Sequence, residues 1–258
     1  MKIDQVAVQL YTLRDTCQTE SDLASTITRV KQTGYQAVQL SGIGKDISPE
    51  TAAKICAENG VTVCATHEDG NLIRTNPREA LDRVLAAGCK ITAYPFPAGV
   101  DFSDSASVKA LVSDLEEAGS LFAKNDCQLL YHNHAYEFIR LGDETVMDYI
   151  FRCVDPKYLG FELDTYWVQN GGCDPVKWCK KAKNRLPVIH LKDYAVYPDS
   201  GPSFAEIGYG NLDFPAIIAA AEASGCQWFV VEQDTCPGDP FDSIKKSFDY
   251  ISANLCEG

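Results

Sequence analysis

The chain has 258 residues, a length that suits one (β/α)8 barrel or two small domains. Hydrophobic residues make up 45% and charged residues 23%, which is typical of a folded protein with a large core. The formal net charge of -13 disfavours tight binding of nucleic acid, because an acidic surface repels the phosphate backbone.

Eight short apolar runs recur along the chain, each with the pattern of a strand that is buried on both faces. They are QVAVQL (5–10), YQAVQL (35–40), VTVCAT (61–66), KITAYP (90–95), CQLLYH (127–132), YLGFEL (158–163), LPVIHL (186–191) and WFVVEQ (228–233). Between them lie helical patterns with capping residues at the start and, in most cases, a glycine at the end. The predicted capping residues are Thr19 or Ser21, Ser48, Asn76, Asp213 and Asp239, and the predicted terminal glycines are Gly34, Gly60, Gly88 and Gly225.

Eight strands that alternate with eight helices predict a closed (β/α)8 TIM barrel, formed by residues 1–258 as a single domain. The alternative is an open, doubly wound sheet, which usually has fewer strands and a glycine-rich turn after the first. Here the first run continues into LYTLRD, which contains no glycine. Because crossovers between parallel strands are right-handed, the C-terminal ends of all strands should meet at one mouth of the barrel.

The apolar runs are all shorter than the roughly 18 residues of a membrane span, and the N-terminal stretch lacks the apolar core of a signal peptide. Eleven cysteines without a C-x-x-C pair predict buried, reduced thiols. A disulfide framework and a zinc knuckle are the alternatives. We therefore expect a cytoplasmic protein that binds no membrane.

The chain has four histidines, and all of them fall at or just past the C-terminal end of a predicted strand. They are His67, His132, His134 and His190. Barrel enzymes keep their chemistry at this mouth, whereas structural histidines would be scattered between helices and both rims. The pattern therefore favours a functional site.

Carboxylates gather at the same strand ends. Asp164 closes the sixth run, Glu232 lies in the eighth, and Glu162 alternates with Asp164, so that both are expected to point into the barrel. A buried carboxylate is costly unless it is paired or bound to a metal. Three other readings stay open: Asp164 as a helix cap, an ion pair between Glu232 and Lys192, and Lys192 with Asp193 as a solvated loop pair.

These residues together predict one divalent metal ion. The expected ligands are His132 or His134 with Asp164, His190 and Glu232. Such a mixture of imidazole and carboxylate ligands suits manganese, iron, cobalt or zinc better than calcium, with manganese favoured and magnesium still possible.

Aromatic side chains near this mouth are candidates for contact with a sugar. Trp167 and Tyr166 follow the sixth strand and either cover the core or stack on a substrate. We predict substrate contacts for Trp167, Tyr94, Tyr11 and His67.

In order along the chain, several segments together resemble the xylose isomerase-like barrel superfamily of sugar isomerases and epimerases. They are VQLYTLRD, VCATHED, YHNHAYEF, FELDTYW, IHLKDY, EIGYGNLDF and VVEQD. In that superfamily, strands five to eight supply a Glu, an Asp, a His and a Glu to a divalent metal. Asp164, His190 and Glu232 match the last three, and His132 stands at the first position by register. With a histidine in place of the fifth-strand glutamate, the chain resembles a subgroup whose members carry the sequence YHNH and act on keto sugars, keto-inositols and 3-keto-glycosides.

The expected chemistry is removal of a proton next to a carbonyl group, because a metal stabilises the negative charge that develops there. The predicted groups for proton transfer are Glu137, which follows the fifth strand, and His134, Glu232 and Lys192. Isomerisation, epimerisation and elimination share this first step. The rival interpretations are a subunit that cleaves C- or O-glycosides through 3-keto intermediates, a non-catalytic sugar-binding barrel and a metal-dependent endonuclease, which the acidic charge disfavours.

The expected substrate is an unphosphorylated sugar or cyclitol. Phosphate sites in barrels usually use the loops after strands seven and eight, and the loop QDTCPGDP after the eighth strand is acidic and has no basic residue. A homo-oligomer and a partner subunit both stay open.

Overall fold

The computed structural model describes residues 1–256, and the last two residues of the predicted domain lie outside this range. Within it, eight parallel strands close into a barrel in which neighbours along the chain are neighbours in space, and the first strand pairs with the last. The strands are β1 (Val6–Gln9), β2 (Ala37–Leu40), β3 (Thr62–His67), β4 (Ile91–Tyr94), β5 (Gln128–His132), β6 (Gly160–Asp164), β7 (Val188–Leu191) and β8 (Trp228–Val231). The predicted (β/α)8 TIM barrel is confirmed, with one strand in each apolar run.

The helices surround the barrel. They are α1 (Glu20–Thr33), α2 (Pro49–Glu58), α3 (Gly70–Thr75), α4 (Pro77–Ala86), α5 (Ser105–Ala123), α6 (Val146–Cys153), α7 (Thr165–Asn170), α8 (Pro175–Lys181), α9 (Phe214–Ala223) and α10 (Pro240–Asn254). Side-chain oxygens cap the predicted starts at Thr19, Ser48, Asn76, Asp213 and Asp239. Each such cap stabilises its helix by about 1 kcal/mol. The first helix is capped by Thr19 and not by Ser21.

The described residues contain ten α-helices, and three short 3-10 helices besides, where the sequence predicted eight helices. The two additional helices, α3 and α7, are short and follow β3 and β6 directly at the C-terminal mouth. Two small hairpins lie on the same side, Arg140–Leu141 with Glu144–Thr145 and Asp193–Tyr197 with Gly201–Ala205. The loops at this mouth are therefore more elaborate than simple strand-to-helix turns.

The barrel interior has an apolar layer below a polar one. The apolar layer consists of small and medium side chains, namely Ala7, Ala37, Cys64, Ala65, Ala93, Leu130, Val188 and Val230. Two residues beyond this apolar layer along most strands, the inward side chains are polar and lie at or near the C-terminal end of the strand. They are Gln9, Gln39, His67, His132, Glu162 and His190. Because side chains of a strand alternate between faces, this regular register concentrates polar groups at one mouth.

All eleven cysteines are free thiols, and most are buried. This result agrees with the prediction of reduced thiols. Among residues 1–256, no helix is both long and apolar enough to cross a membrane.

Candidate functional site

The four histidines meet at the C-terminal mouth, as the sequence predicted. The ring centroid of His132 lies 5.1 Å from that of His67, 4.6 Å from that of His190 and 5.0 Å from that of His134. Such a cluster of buried imidazoles needs hydrogen-bond partners or a metal ion to be stable. Carboxylates from β6 and β8 provide them.

The predicted ligand set comes together with His132 as the histidine from β5. His132, Asp164, His190 and Glu232 are all buried, and one donor atom from each lies within 4.8 Å of the others. His134 lies outside this group. Two imidazoles and two carboxylates are a donor set that transition metals accept, so the residues fit a divalent ion.

Asp164 combines two of the roles that the sequence left open. Its Oδ1 accepts a hydrogen bond from the backbone N–H of Trp167 at 2.9 Å and so caps α7. Its Oδ2 faces the cluster and has no hydrogen bond of good geometry with any residue in the described range, although the ammonium of Lys192 is 2.9 Å away. One oxygen therefore fixes the side chain and the other is directed at the candidate metal position.

Lys192 lies in the interior, which excludes the alternative of a solvated loop pair with Asp193. Its Nζ is 2.9 Å from Asp164, 2.8 Å from Glu232 and 2.9 Å from Asp234, and the side chain is 1% exposed. Asp193 is also buried and accepts hydrogen bonds from backbone N–H groups of the loop after β7. Lys192 can be buried as a charged group because carboxylates from distant parts of the sequence form ion pairs with it.

The charged side chains of the cluster shift one another's pKa values. Burial opposes a charge on His190, but Glu162 and Glu232 outweigh it and raise the pKa of this imidazole to about 10. Burial raises the pKa of Asp164 to about 6 against the opposite effect of Lys192. Binding of a cation would therefore displace the proton of His190, which makes metal affinity depend on pH.

A cavity of about 360 Å³ opens beside the cluster. Its walls are formed by Tyr11, Ser41, His67, Pro95, Phe96, His132, His134, Lys192, Glu232 and Asp234. The volume is within the range of roughly 300–1,000 Å³ that is usual for small-molecule sites. Of the predicted substrate contacts, Tyr11 and His67 line this cavity.

The predicted substrate contact of Tyr94 is not supported by its position. Tyr94 is 1% exposed and lies on the outer side of β4, where its ring packs beside Gly70 at the start of α3. The inward position of β4 is Ala93. Trp167 stands behind His134, with ring centroids 5.5 Å apart, and is outside the cavity wall formed by the described residues.

Glu137 is completely buried, and both carboxylate oxygens accept hydrogen bonds. The Tyr131 hydroxyl donates at 2.9 Å and the backbone N–H of His134 at 2.8 Å. Burial raises the pKa of Glu137 to about 7. This geometry explains how the turn that carries His134 is held, and a direct part for Glu137 in proton transfer stays a prediction.

We expect Glu137 to make stability depend on pH. Because its pKa is raised from 4.5 to about 7, its contribution to the free energy of unfolding is full below about pH 4.5 and is lost as the pH rises through about 7. Relative to wild type, Glu137→Gln should therefore gain about 2.5 kcal/mol between pH 5 and pH 8. Denaturant unfolding of both proteins at the two pH values measures this difference, and parallel pH profiles would contradict it.

His134 lines the cavity from the turn after β5. Burial lowers its pKa to about 2, so the imidazole is neutral at physiological pH and offers a lone pair. Its Nδ1 is buried and has no hydrogen-bond partner within residues 1–256. No hydrogen bond within these residues fixes which ring nitrogen of His134 carries the proton.

Sequence reasoning missed three residues of the polar layer. Gln9 and Gln39 contact His67 and His190 from β1 and β2, and Asp234 accepts a hydrogen bond from Lys192. A signal was available, because both glutamines end otherwise apolar runs at inward positions. Asp234 stands two residues after Glu232 and therefore on the same face of the chain.

The fold and this buried cluster define a (β/α)8 barrel with a candidate metal site at its C-terminal mouth. The chain belongs to the xylose isomerase-like TIM barrel family, whose family model matches residues 27–253. The predicted superfamily is therefore confirmed.

Among curated proteins, the chain is similar to inosose dehydratase from Geobacillus thermodenitrificans (strain NG80-2), with 29% identity over 158 residues. That alignment covers 55% of this chain and 52% of the relative, so the chain spans about half the length of the curated relatives it matches. An inosose dehydratase from Clostridium tetani (strain Massachusetts / E88) is 26% identical over 160 residues, with 55% of this chain and 53% of the relative covered.

Among solved structures, a sugar phosphate isomerase/epimerase from Parabacteroides distasonis ATCC 8503 superposes with a TM-score of 0.82 at 22% identity, over 99% of this chain and 96% of that one. An L-ribulose 3-epimerase superposes with a TM-score of 0.75 at 14% identity, over 99% and 95% of the two chains. At this level of identity the likeness supports the fold.

Proposed function

We propose that the chain is a metal-dependent enzyme that removes the proton next to the carbonyl group of an unphosphorylated keto sugar or cyclitol, and acts as an isomerase or epimerase. The observation that carries the proposal is the convergence of His132, Asp164, His190 and Glu232 beside a cavity of suitable size. A divalent ion at this position would lower the energy of negative charge on the carbonyl oxygen.

Two side chains of the cavity wall, His134 and Lys192, have the proposed roles in proton transfer. His134 lines the cavity, so we assign it the role of base. Because burial lowers its pKa to about 2, this role requires that a bound substrate raise the pKa of His134 towards the working pH. Lys192 is held as an ammonium ion by three carboxylates, because their charges outweigh the effect of burial and raise its pKa well above the usual value. It can donate a hydrogen bond or a proton to an oxygen of the substrate.

The charge of the cavity wall supports an unphosphorylated substrate. Among the described lining residues, Lys192 is the one lysine or arginine, and its charge is already matched by Asp164, Glu232 and Asp234. A phosphate group would add negative charge beside these carboxylates. A neutral sugar or cyclitol avoids that repulsion.

A second candidate function is elimination, in which a hydroxyl or glycosyl group leaves from the carbon beyond the deprotonated one. The observation that favours it is a second cavity of about 450 Å³ that shares Ser41 and His67 with the first. Its other walls include the apolar residues Ile43, Ile47 and Leu72. Such a space suits a substituent on the sugar, and inosose dehydratases among the relatives provide support for a lyase.

Solvent exchange tests the proposed first step. Wild type in D2O should introduce deuterium next to the keto group of a keto sugar or keto-inositol, and His134→Gln should slow this by about 100-fold or more, the usual contribution of a general base. Tyr136→Phe is the control, since Tyr136 is exposed on the same turn. Full-rate exchange by His134→Gln would contradict its role as base.

The products of the same incubation separate the candidate functions. Release of water or an aglycone identifies a lyase, and a mass-neutral isomer identifies an isomerase or epimerase. Absence of exchange with every keto sugar and keto-inositol tested would favour a non-catalytic binding barrel.

A further inference from the structure

Glu162 lies at the centre of the polar layer and contacts three imidazoles. Its side chain is completely buried on β6, two residues before Asp164. Its Oε1 is 2.5 Å from Nε2 of His67, 3.1 Å from Nδ1 of His132 and 3.1 Å from Nε2 of His190. A carboxylate with this many imidazole neighbours influences which ring nitrogen of each histidine carries a proton.

Gln39 connects Glu162 to His190 through two hydrogen bonds, and its side-chain amide has one orientation that satisfies both. An ionised carboxylate only accepts hydrogen bonds, so the Gln39 amide nitrogen must face Glu162, to whose Oε2 it donates at 2.6 Å. The Gln39 oxygen then faces Nε2 of His190 at 2.7 Å and accepts its hydrogen. This places the lone pair of a neutral His190 on Nδ1, which points towards Glu232 and Asp164.

His132 also contacts this carboxylate. Its Nδ1 lies 3.1 Å from Oε1 of Glu162, but within residues 1–256 this nitrogen has no partner of hydrogen-bond geometry, so the contact does not assign the proton to one ring nitrogen. The ring of His67 is also held by this carboxylate, through Nε2, and its Nδ1 faces the amide nitrogen of Gln9 at 3.4 Å.

Glu162 also belongs to a second group of residues whose donor atoms lie close together. His67, His132, Glu162 and His190 offer donor atoms within 4.8 Å of one another. Both oxygens of Glu162 are hydrogen-bonded, Oε1 to His67 and Oε2 to Gln39, whereas Oδ2 of Asp164 has no such partner among residues 1–256. This difference favours Asp164 over Glu162 as the ligand from β6.

We propose that Glu162, acting through Gln39, is a positioning residue that fixes the tautomer and ring orientation of His190 for metal binding, and is not itself a ligand. This inference rests on the proposed metal-dependent function. Residues that orient metal-binding histidines typically change metal affinity by about 10–100-fold when they are replaced.

The test is Co²⁺ binding to the full chain, measured by competition with a chromophoric chelator and by the visible absorption of the bound ion. For Glu162→Gln we expect an affinity about 10–100-fold weaker than wild type, with unchanged cobalt absorption bands at saturation because the ligands stay the same. Gln39→Met removes both the acceptor for His190 and the donor to Glu162 and should weaken binding in the same direction. Glu206→Gln is the matched control, since Glu206 is also buried but pairs with Lys246 and Ser243, which do not belong to the cluster.

Three results would overturn the inference. Unchanged Co²⁺ affinity in both Glu162→Gln and Gln39→Met would show that the network does not position the ligands. Altered absorption bands in Glu162→Gln would show that Glu162 is itself a ligand. If wild type itself binds no Co²⁺, the proposed metal-dependent function fails as well, and this outcome is distinguishable from the other two. Thermal unfolding of each variant separates a loss of folding from a loss of affinity in a folded protein.

Discussion

Asp164→Asn should abolish turnover and metal binding while leaving the barrel folded. The amide can still cap α7 through its oxygen, but it removes the negative charge of the Oδ2 position that faces the cluster. We expect the rate to fall by at least about 1,000-fold, which corresponds to about 4 kcal/mol of lost transition-state stabilisation. Steady-state assays on an active keto substrate, together with metal content after gel filtration, measure both effects.

Asp174→Asn provides a matched control for this experiment. Asp174 caps α8 in the same way, with its side chain accepting from the N–H groups of Val176 and Lys177, but it lies on the surface. Its replacement should leave activity and metal content unchanged. If Asp164→Asn retains more than about a tenth of the wild-type rate, Asp164 is not a metal ligand, because loss of a ligand costs far more than a factor of ten.

Lys192→Met should destabilise the metal-free protein by about 3–5 kcal/mol, because it leaves Asp164, Glu232 and Asp234 without their shared cation in the interior. A divalent ion would supply positive charge to the first two of these carboxylates. We therefore expect Mn²⁺ to raise the Tm of Lys192→Met by more than it raises that of wild type. Thermal unfolding with chelator and with excess Mn²⁺ measures this difference.

Lys181→Met tests whether the effect is specific to the buried cluster. Lys181 pairs with Asp148 at the surface, where an ion pair contributes only about 0–1 kcal/mol. This variant should unfold close to wild type under both conditions. A Lys192→Met protein as stable as wild type in chelator would contradict the importance of the triple ion pair.

The architecture could be predicted because its signals are local. Each barrel strand is an apolar run of the length expected for a strand, and helix starts such as Thr19 and Asp239 are marked by the residue that caps them. The placement of His132 and His190 followed from the strand ends, because a parallel barrel brings all these ends to one mouth.

The parts that were wrong or missed depend on packing between distant segments. Tyr94 lies one position after the inward Ala93 and therefore faces outwards, a register that composition does not reveal. For Lys192 the sequence left a solvated loop position open as an alternative, because the three carboxylates that surround it come from distant parts of the sequence.

The metal content of the protein tests the central proposal most directly. Wild-type protein purified without chelator and analysed by inductively coupled plasma mass spectrometry should contain about one divalent transition-metal ion per chain. Asp164→Asn should contain almost none, and Asp174→Asn should match wild type. A wild-type protein that turns over a keto substrate at full rate with less than about a tenth of an ion per chain would contradict the proposal, because ligands bound at about 2 Å should retain the ion.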